Sequence, residues 1–186
     1  MKGIVTHRRV PSHLRRIVTE HVEEVIDVMS EKNRQRRIVD YRASDYEGAA
    51  ARFSWLPNYV IKIEGGGRIE GGNRLSACIK ECNLHLLEVP DQILYKIPER
   101  HNHLTDLRDL CIGRYIEGKQ GKNLVISRTH VEQLRILIKK TGVGDLKWRN
   151  LVHTPRNTIA LIDTESFWGV RFGLAMLSEW NKLEVD

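Results

Sequence analysis

Asp145, Lys147 and Asn150 stand close together in Val143-Gly-Asp-Leu-Lys-Trp-Arg-Asn150, and Asp163 follows thirteen residues after that Asn, behind the apolar run Ile159-Ala-Leu-Ile162. Two carboxylates, an amide and an ammonium are the parts of a metal–phosphate site. A carboxylate can orient an attacking hydroxyl or take its proton, and a cation can meet the charge on a transferred phosphoryl group. A hard divalent ion takes carboxylate and amide oxygens as ligands. A further ammonium is needed for the other phosphates of a nucleotide, and Lys62 in Tyr59-Val-Ile-Lys-Ile63 supplies one. The same side chains also read as ordinary loop polarity between a helix and a strand.

Placing such groups requires elements, and the periodicity of the chain names them. Residues 12–31 carry Leu14, Ile17, Val18, Val22, Val25, Ile26 and Met29 at helical spacing, with Ser12 as a candidate N-cap. The basic residues after it (Lys32 and 34–37, with Arg8 and Arg9 upstream) read as a solvated helix end before they read as a grip on nucleic acid or a membrane. Tyr59 to Ile63 alternates as a strand does. Gly65, Gly66, Gly67, Gly71 and Gly72 then read as a flexible connection, because no βαβ unit follows to make them a dinucleotide loop. A helix is expected over 73–88 with Leu75, Ile79, Cys82 and Leu86 on one face, then strands over 93–97 and within 107–116. The spacing of Val131, Leu134, Leu137 and Ile138 predicts a helix over 127–140, closed by Gly142. A strand over 159–162 and a last helix over about 172–180 complete the order, which is that of a two-lobed α+β fold.

Composition bounds the classes. At 186 residues, 41% hydrophobic and 29% charged, the chain can bury a core, and a net charge of +6 suits an anionic partner such as nucleotide phosphates. Cys78, Cys82 and Cys111 form no CxxC pair and read as reduced intracellular thiols. His101 and His103 lie in a polar stretch where metal ligation is not expected. No apolar run approaches the roughly 20 residues of a membrane span, and no signal peptide opens the sequence. A cytoplasmic protein is expected, and delivery into a host cell by a route without a cleavable signal peptide stays open. The basic residues lack aromatic interleaving, so a nucleic-acid partner is not expected.

Taken together, these positions resemble the protein-kinase fold. Asp145-Leu-Lys-Trp-Arg-Asn150 after a long helix is similar to the family's D-L-K-x-x-N catalytic loop, and Ile159-Ala-Leu-Ile-Asp163 to the apolar strand that leads into D-F-G. Tyr59-Val-Ile-Lys62 resembles the family's V-A-I-K. Glu81, nineteen residues on, matches the helix Glu that pairs this Lys, with Glu70 as the runner-up. Leu110-Cys-Ile-Gly-Arg-Tyr-Ile-Glu-Gly118 resembles the hinge between lobes. The resemblance implies ATP and Mg²⁺ as cofactors. It makes Asp145 and Lys147 catalytic, Lys62 and Glu81 ATP-binding, and Asn150 and Asp163 metal ligands. It also implies an N-terminal helical extension over 1–40, a small β-rich N-lobe over 41–112, a hinge over 113–118 and a truncated helical C-lobe over 119–186.

Departures shape the expected function. Val143-Gly144 replaces the His-Arg before the catalytic Asp, so switching through an activation-loop phosphate is not expected. Asp163-Thr-Glu165 replaces D-F-G, and the region 41–53 offers only Gly48 for a phosphate-cradling loop. The 23 residues after Asp163 hold no A-P-E motif or later C-lobe helices, a pattern that resembles minimal bacterial effector kinases. Lys two places after the catalytic Asp is typical of Ser/Thr kinases and implies a protein Ser/Thr hydroxyl as acceptor. Gly before that Asp is shared with aminoglycoside-type phosphotransferases, so a small-molecule acceptor is the alternative. A non-catalytic pseudokinase scaffold is a third reading.

Overall fold

An apolar face repeating every 3.6 residues must be covered, and the N-terminal segment finds its cover in a sheet. The computed structural model describes residues 11–29, 42–44, 48–63, 65–105, 108–121, 124–164 and 167–180. In chain order its elements are α1 (Ser12–Glu20), α2 (Val22–Met29), β1 (Arg42–Ser44), β2 (Gly48–Ala51), β3 (Tyr59–Ile63) and α3 (Gly65–Glu81). There follow β4 (Leu87–Glu88), β5 (Gln92–Lys96), β6 (Asp109–Arg114), β7 (Lys119–Gln120), α4 (Arg128–Thr141), β8 (Leu151–His153), β9 (Ile159–Leu161) and α5 (Val170–Trp180). The fold is mixed α+β with two sheets. Among the described residues, no helix is long and apolar enough to cross a membrane.

The described residues form two compact units. One runs to Gly66 and includes Gln92–Tyr115, and the other is Gly67–Asp91 together with the chain from Ile116 onward. In the first, a five-stranded sheet has the order β1-β2-β3-β6-β5 with every pairing antiparallel. Leu110, Cys111 and Ile112 on β6 are fully buried, as a continuous apolar run on an interior strand should be. Leu14, Val18, Val22, Val25, Ile26 and Met29 of α1 and α2 share one core with Phe53, Leu56, Ile61, Ile93 and Tyr95. These helices are therefore part of the first unit's core, where the sequence suggested a separate extension. A single helix over 12–31 is also corrected: it breaks at His21, whose ring stacks on Trp55 with centroids 4.2 Å apart. The Trp55 indole N–H then donates to Glu24 Oε2 at 3.0 Å. Pro11 rather than Ser12 stands at the N-cap position, and the basic cluster around 32–37 with Arg8 and Arg9 lies outside the described residues.

In the second unit a four-stranded sheet has the order β4-β9-β8-β7, with β4 parallel to β9 and the other pairings antiparallel. Its core gathers Leu75, Leu84, Leu134, Leu137, Ile138, Leu146, Leu151, Ile159 and Leu161. The largest departure from the sequence expectation is α3. Gly65, Gly66, Gly67, Gly71 and Gly72 are not a connection but the first half of this helix, which ends at Glu81. Residues 84–88, expected to be helical, turn instead into β4. Each glycine in a helix interior is unfavourable by about 1 kcal/mol relative to alanine, so contacts elsewhere must hold this half together.

Candidate functional site

Helix α4 delivers the loop, and its ends are fixed by its own sequence. The Ser127 side chain accepts from the His130 backbone N–H at 3.4 Å, and His130 Nδ1 accepts from the Ser127 N–H at 3.1 Å, a reciprocal cap. His130 is fully buried, with Nε2 3.0 Å from the Asn157 carbonyl oxygen. Burial holds its pKa below the ordinary 6.5; the bond to Asn157 works upward and the neighbouring His153 downward. At the other end Gly142, at φ 75°, takes the left-handed conformation and its N–H closes on Ile138 O at 2.8 Å. The chain then passes Gly144, where a Cβ would stand 2.9 Å from the Trp168 Cβ and 3.1 Å from the Trp168 nitrogen. A side chain there would crowd Trp168, which gives a packing reason for the glycine.

Beyond Gly144 the loop closes on itself. Asn150 is buried, and its Nδ2 donates to the Asp145 carbonyl at 3.1 Å, while its backbone N–H donates to Lys147 O at 2.7 Å. Lys147 Nζ lies 3.4 Å from Asp145 Oδ1, an oxygen that is buried and accepts no hydrogen bond among the described residues. The same ammonium stands 5.6 Å from the centre of the exposed Trp168 ring, which meets Phe172 edge-on at 4.9 Å. Ile162 N–H donates to Asn150 O at 2.9 Å, and this bond ties the loop to the end of β9, where Asp163 follows. Asp145, Lys147, Asn150 and Asp163 thus belong to one unit and to two loops joined by a backbone bond.

Helix α3 reaches the same place from the other side. Arg68 is buried, and its Nη1 donates to Asp163 Oδ1 at 2.5 Å. Thr164 Oγ1, fully buried, donates to the Arg68 carbonyl at 2.8 Å. One turn on, a methyl group at Gly71 would overlap the Thr164 carbonyl oxygen, so the helix backbone itself abuts the loop. Another turn on, Arg74 donates to Thr141 O at 2.5 Å and lies 4.6 Å above the Phe167 ring. Breaking a buried ion pair such as Arg68–Asp163 by removing one partner costs about 3–5 kcal/mol. Thr164 therefore links the loop after β9 to helix α3 by a hydrogen bond.

The remaining expected residues are placed differently. Lys62 is on β3 in the first unit, half-buried, opposite Cys111 on β6. Glu81 is the last residue of α3, in the second unit and exposed. Glu70 is also on α3 and exposed, so its position in a connection is corrected.

The donor chemistry around Asp163 bears on a divalent cation. Arg68 engages Oδ1, which leaves Oδ2, and Asn150 spends Nδ2 on Asp145, which leaves Oδ1. Both are hard oxygens of the kind Mg²⁺ takes, and Mg²⁺ characteristically uses one or two protein ligands and completes its shell with phosphate and water. Among the described residues no group of three or more His, Cys, Asp or Glu could hold a metal alone. Each of the two residues thus keeps one hard oxygen that a divalent ion could take, and among the described residues no cage for a bare ion is formed.

No family model matches the chain, and no curated protein matches it. Arg68, Thr164 and Trp168 escaped the sequence reading. The one usable signal was that Ile69, Gly72, Leu75 and Ile79 continue the helical spacing backward into the glycines.

Proposed function

We propose that this chain transfers the γ-phosphoryl group of ATP to a hydroxyl, with a protein Ser or Thr side chain as acceptor, in a two-lobed kinase-like fold with a shortened C-lobe. The observation that carries the reading is the bond from Ile162 N–H to Asn150 O, which holds the loop bearing Asp145 and Lys147 against the strand end bearing Asp163. Lys62 on the third strand of an antiparallel sheet, with a helix directly after it, is also consistent with the family's strand lysine and following helix.

In this reading Asp145 orients the acceptor hydroxyl and takes its proton. Its buried Oδ1 lies 3.4 Å from the Lys147 ammonium and accepts no hydrogen bond among the described residues, so the carboxylate retains accepting capacity for a substrate. Lys147 lies beside it to neutralise charge on the transferring group, and the exposed Trp168 offers a flat apolar surface next to the Lys147 ammonium. Asn150 Oδ1 and Asp163 would hold Mg²⁺, which would supply positive charge to offset the phosphate charge. Lys62 is assigned to the α- and β-phosphates. One observation favours a nucleotide-binding scaffold instead: Arg68 already occupies an oxygen of the metal carboxylate.

The test is incubation with γ-labelled ATP and Mg²⁺ together with candidate acceptor proteins and aminoglycosides. Label should transfer from the wild type and fail to transfer from Asp163→Ala. Asp145→Asn should bind ATP as before and turn over at least roughly a hundredfold more slowly, the scale of acid–base and electrostatic groups that act in the transition state. Equal labelling by wild type and Asp163→Ala sinks the proposal. Nucleotide binding without transfer leaves the scaffold reading.

A further inference from the structure

We propose that Arg68 is a specificity-determining residue: it reserves Asp163 for a divalent cation that arrives with a polyphosphate and excludes the free ion. The inference rests on the phosphotransferase reading for the identity of the polyphosphate, and on geometry for everything else. Arg68 donates to Asp163 Oδ1 at 2.5 Å, and its side chain is only 4% exposed against 20% for Asp163. Water therefore screens the guanidinium poorly. The contact is also built in. Thr164 Oγ1 holds the Arg68 carbonyl, Gly71 lets the helix backbone abut the Thr164 carbonyl, and Arg74 fixes the next turn to Thr141 O.

Charge decides the selection. Each carboxylate of the site already has a cation of its own, Lys147 at 3.4 Å from Asp145 and Arg68 at 2.5 Å from Asp163. A bare divalent ion on Asp163 Oδ2 would share one carboxylate with a guanidinium, and repulsion between like charges at such range is strong in a poorly solvated site. An ion bound to a nucleoside triphosphate brings a net negative charge, and the same guanidinium then attracts it. Arg68 thus turns from a competitor into a ligand contact according to what accompanies the cation.

The experiment is Mn²⁺ binding to the full chain without nucleotide, followed by the electron-spin-resonance signal of the free ion. Arg68→Gln should bind Mn²⁺ at least about tenfold more tightly than the wild type, and adding Asp163→Asn should remove the gain. Equal affinity in wild type and Arg68→Gln overturns the proposal, and so does a gain that survives Asp163→Asn. Loss of a buried partner can unfold the variant, so a second measurement uses the wild type alone. With ¹⁵N-labelled arginine, the Arg68 Nη resonances should stay unmoved on titration with Mg²⁺ and shift when tripolyphosphate is added with it. The same shift with Mg²⁺ alone overturns the proposal. Neither measurement requires phosphoryl transfer. A Mn²⁺ gain that depends on Asp163, in a protein that never labels an acceptor, keeps this inference and discards the kinase reading.

Discussion

Helices α3 and α4 sit in the same unit from Gly67 onward, yet they are specified in opposite ways. α4 carries its instructions locally: a reciprocal Ser127–His130 cap, buried Val131, Leu134, Leu137 and Ile138 at helical spacing, and Gly142 to stop it. The first half of α3 carries almost none. Five of its first eight residues are glycines, and no acid stands in its first turn. What holds it is contact with a loop some ninety-five residues away, through Arg68 to Asp163 and Thr164 to the Arg68 carbonyl. A helix made by local code tolerates changes to its surroundings. A helix made by contact registers any change in the loop it touches, and here that loop bears the candidate metal ligand.

The sharpest way to break this comparison is Gly71→Ala. Alanine is the better helix former, so local reasoning expects a gain. The added methyl would instead overlap the Thr164 carbonyl oxygen and push α3 off the loop. We expect a loss of about 2–3 kcal/mol, the scale of overpacking in a filled interior, together with faster amide exchange in α3. A variant as stable as the wild type would mean that the helix does not need the contact.

Ser127→Ala attacks the other helix and should cost about 1 kcal/mol, the usual worth of such a cap. Amide exchange should quicken in the first turn of α4 and leave α3 unchanged. Disturbance that spread to α3 would show that the two helices are not independently specified.

What could be read from the sequence follows the same division. β3 was legible to the residue because Tyr59 to Ile63 alternates between turn signals, and α4 was legible because caps and period agree. That Asp145 and Lys147 lie together was legible because both belong to one short loop, and their side chains stand 3.4 Å apart. α3 was hidden because glycine reports flexibility unless the partner that fills the space is known. The break at His21 was hidden because the stacking partner, Trp55, is remote in the chain. Strand β4 has two residues and pairs in parallel with β9, too short to leave an alternation of its own. Local physics is written locally, and Arg68 was missed because its meaning depends on Asp163.

Acid is a gentler probe of the local helix. His130 is buried neutral, with Nδ1 accepting from the Ser127 N–H and Nε2 placed to donate to Asn157 O. Its pKa is lowered on folding, chiefly by burial, so the unfolded chain takes up the proton first as pH falls. The stability it contributes is complete above about pH 6.5, the ordinary imidazole value, and is lost as pH drops from there through the lower folded value. Urea unfolding followed across that range should show the decline in wild type and a flatter profile in His130→Gln. An unchanged slope in the variant would assign the acid sensitivity elsewhere.

Smallest, and opposite in sign, is Gly67→Ala. Position 67 lies on the same helix one turn before Gly71, exposed, and a methyl group there meets nothing within 4 Å. Only the backbone term remains, and replacing a helical glycine by alanine at an open site stabilises by roughly 0.5–1 kcal/mol, chiefly by narrowing the unfolded ensemble. Residue 67 is in the first turn, where ends fray, so the lower figure is expected. The midpoint in urea should rise with Gly67→Ala and fall with Gly71→Ala, although both make the same substitution in one helix four residues apart. Propensity alone cannot give two signs. If both variants gain, the glycines merely weaken α3 and its contact with Thr164 is dispensable; if both lose, the open face at 67 is covered in solution and the local term is not what that position measures.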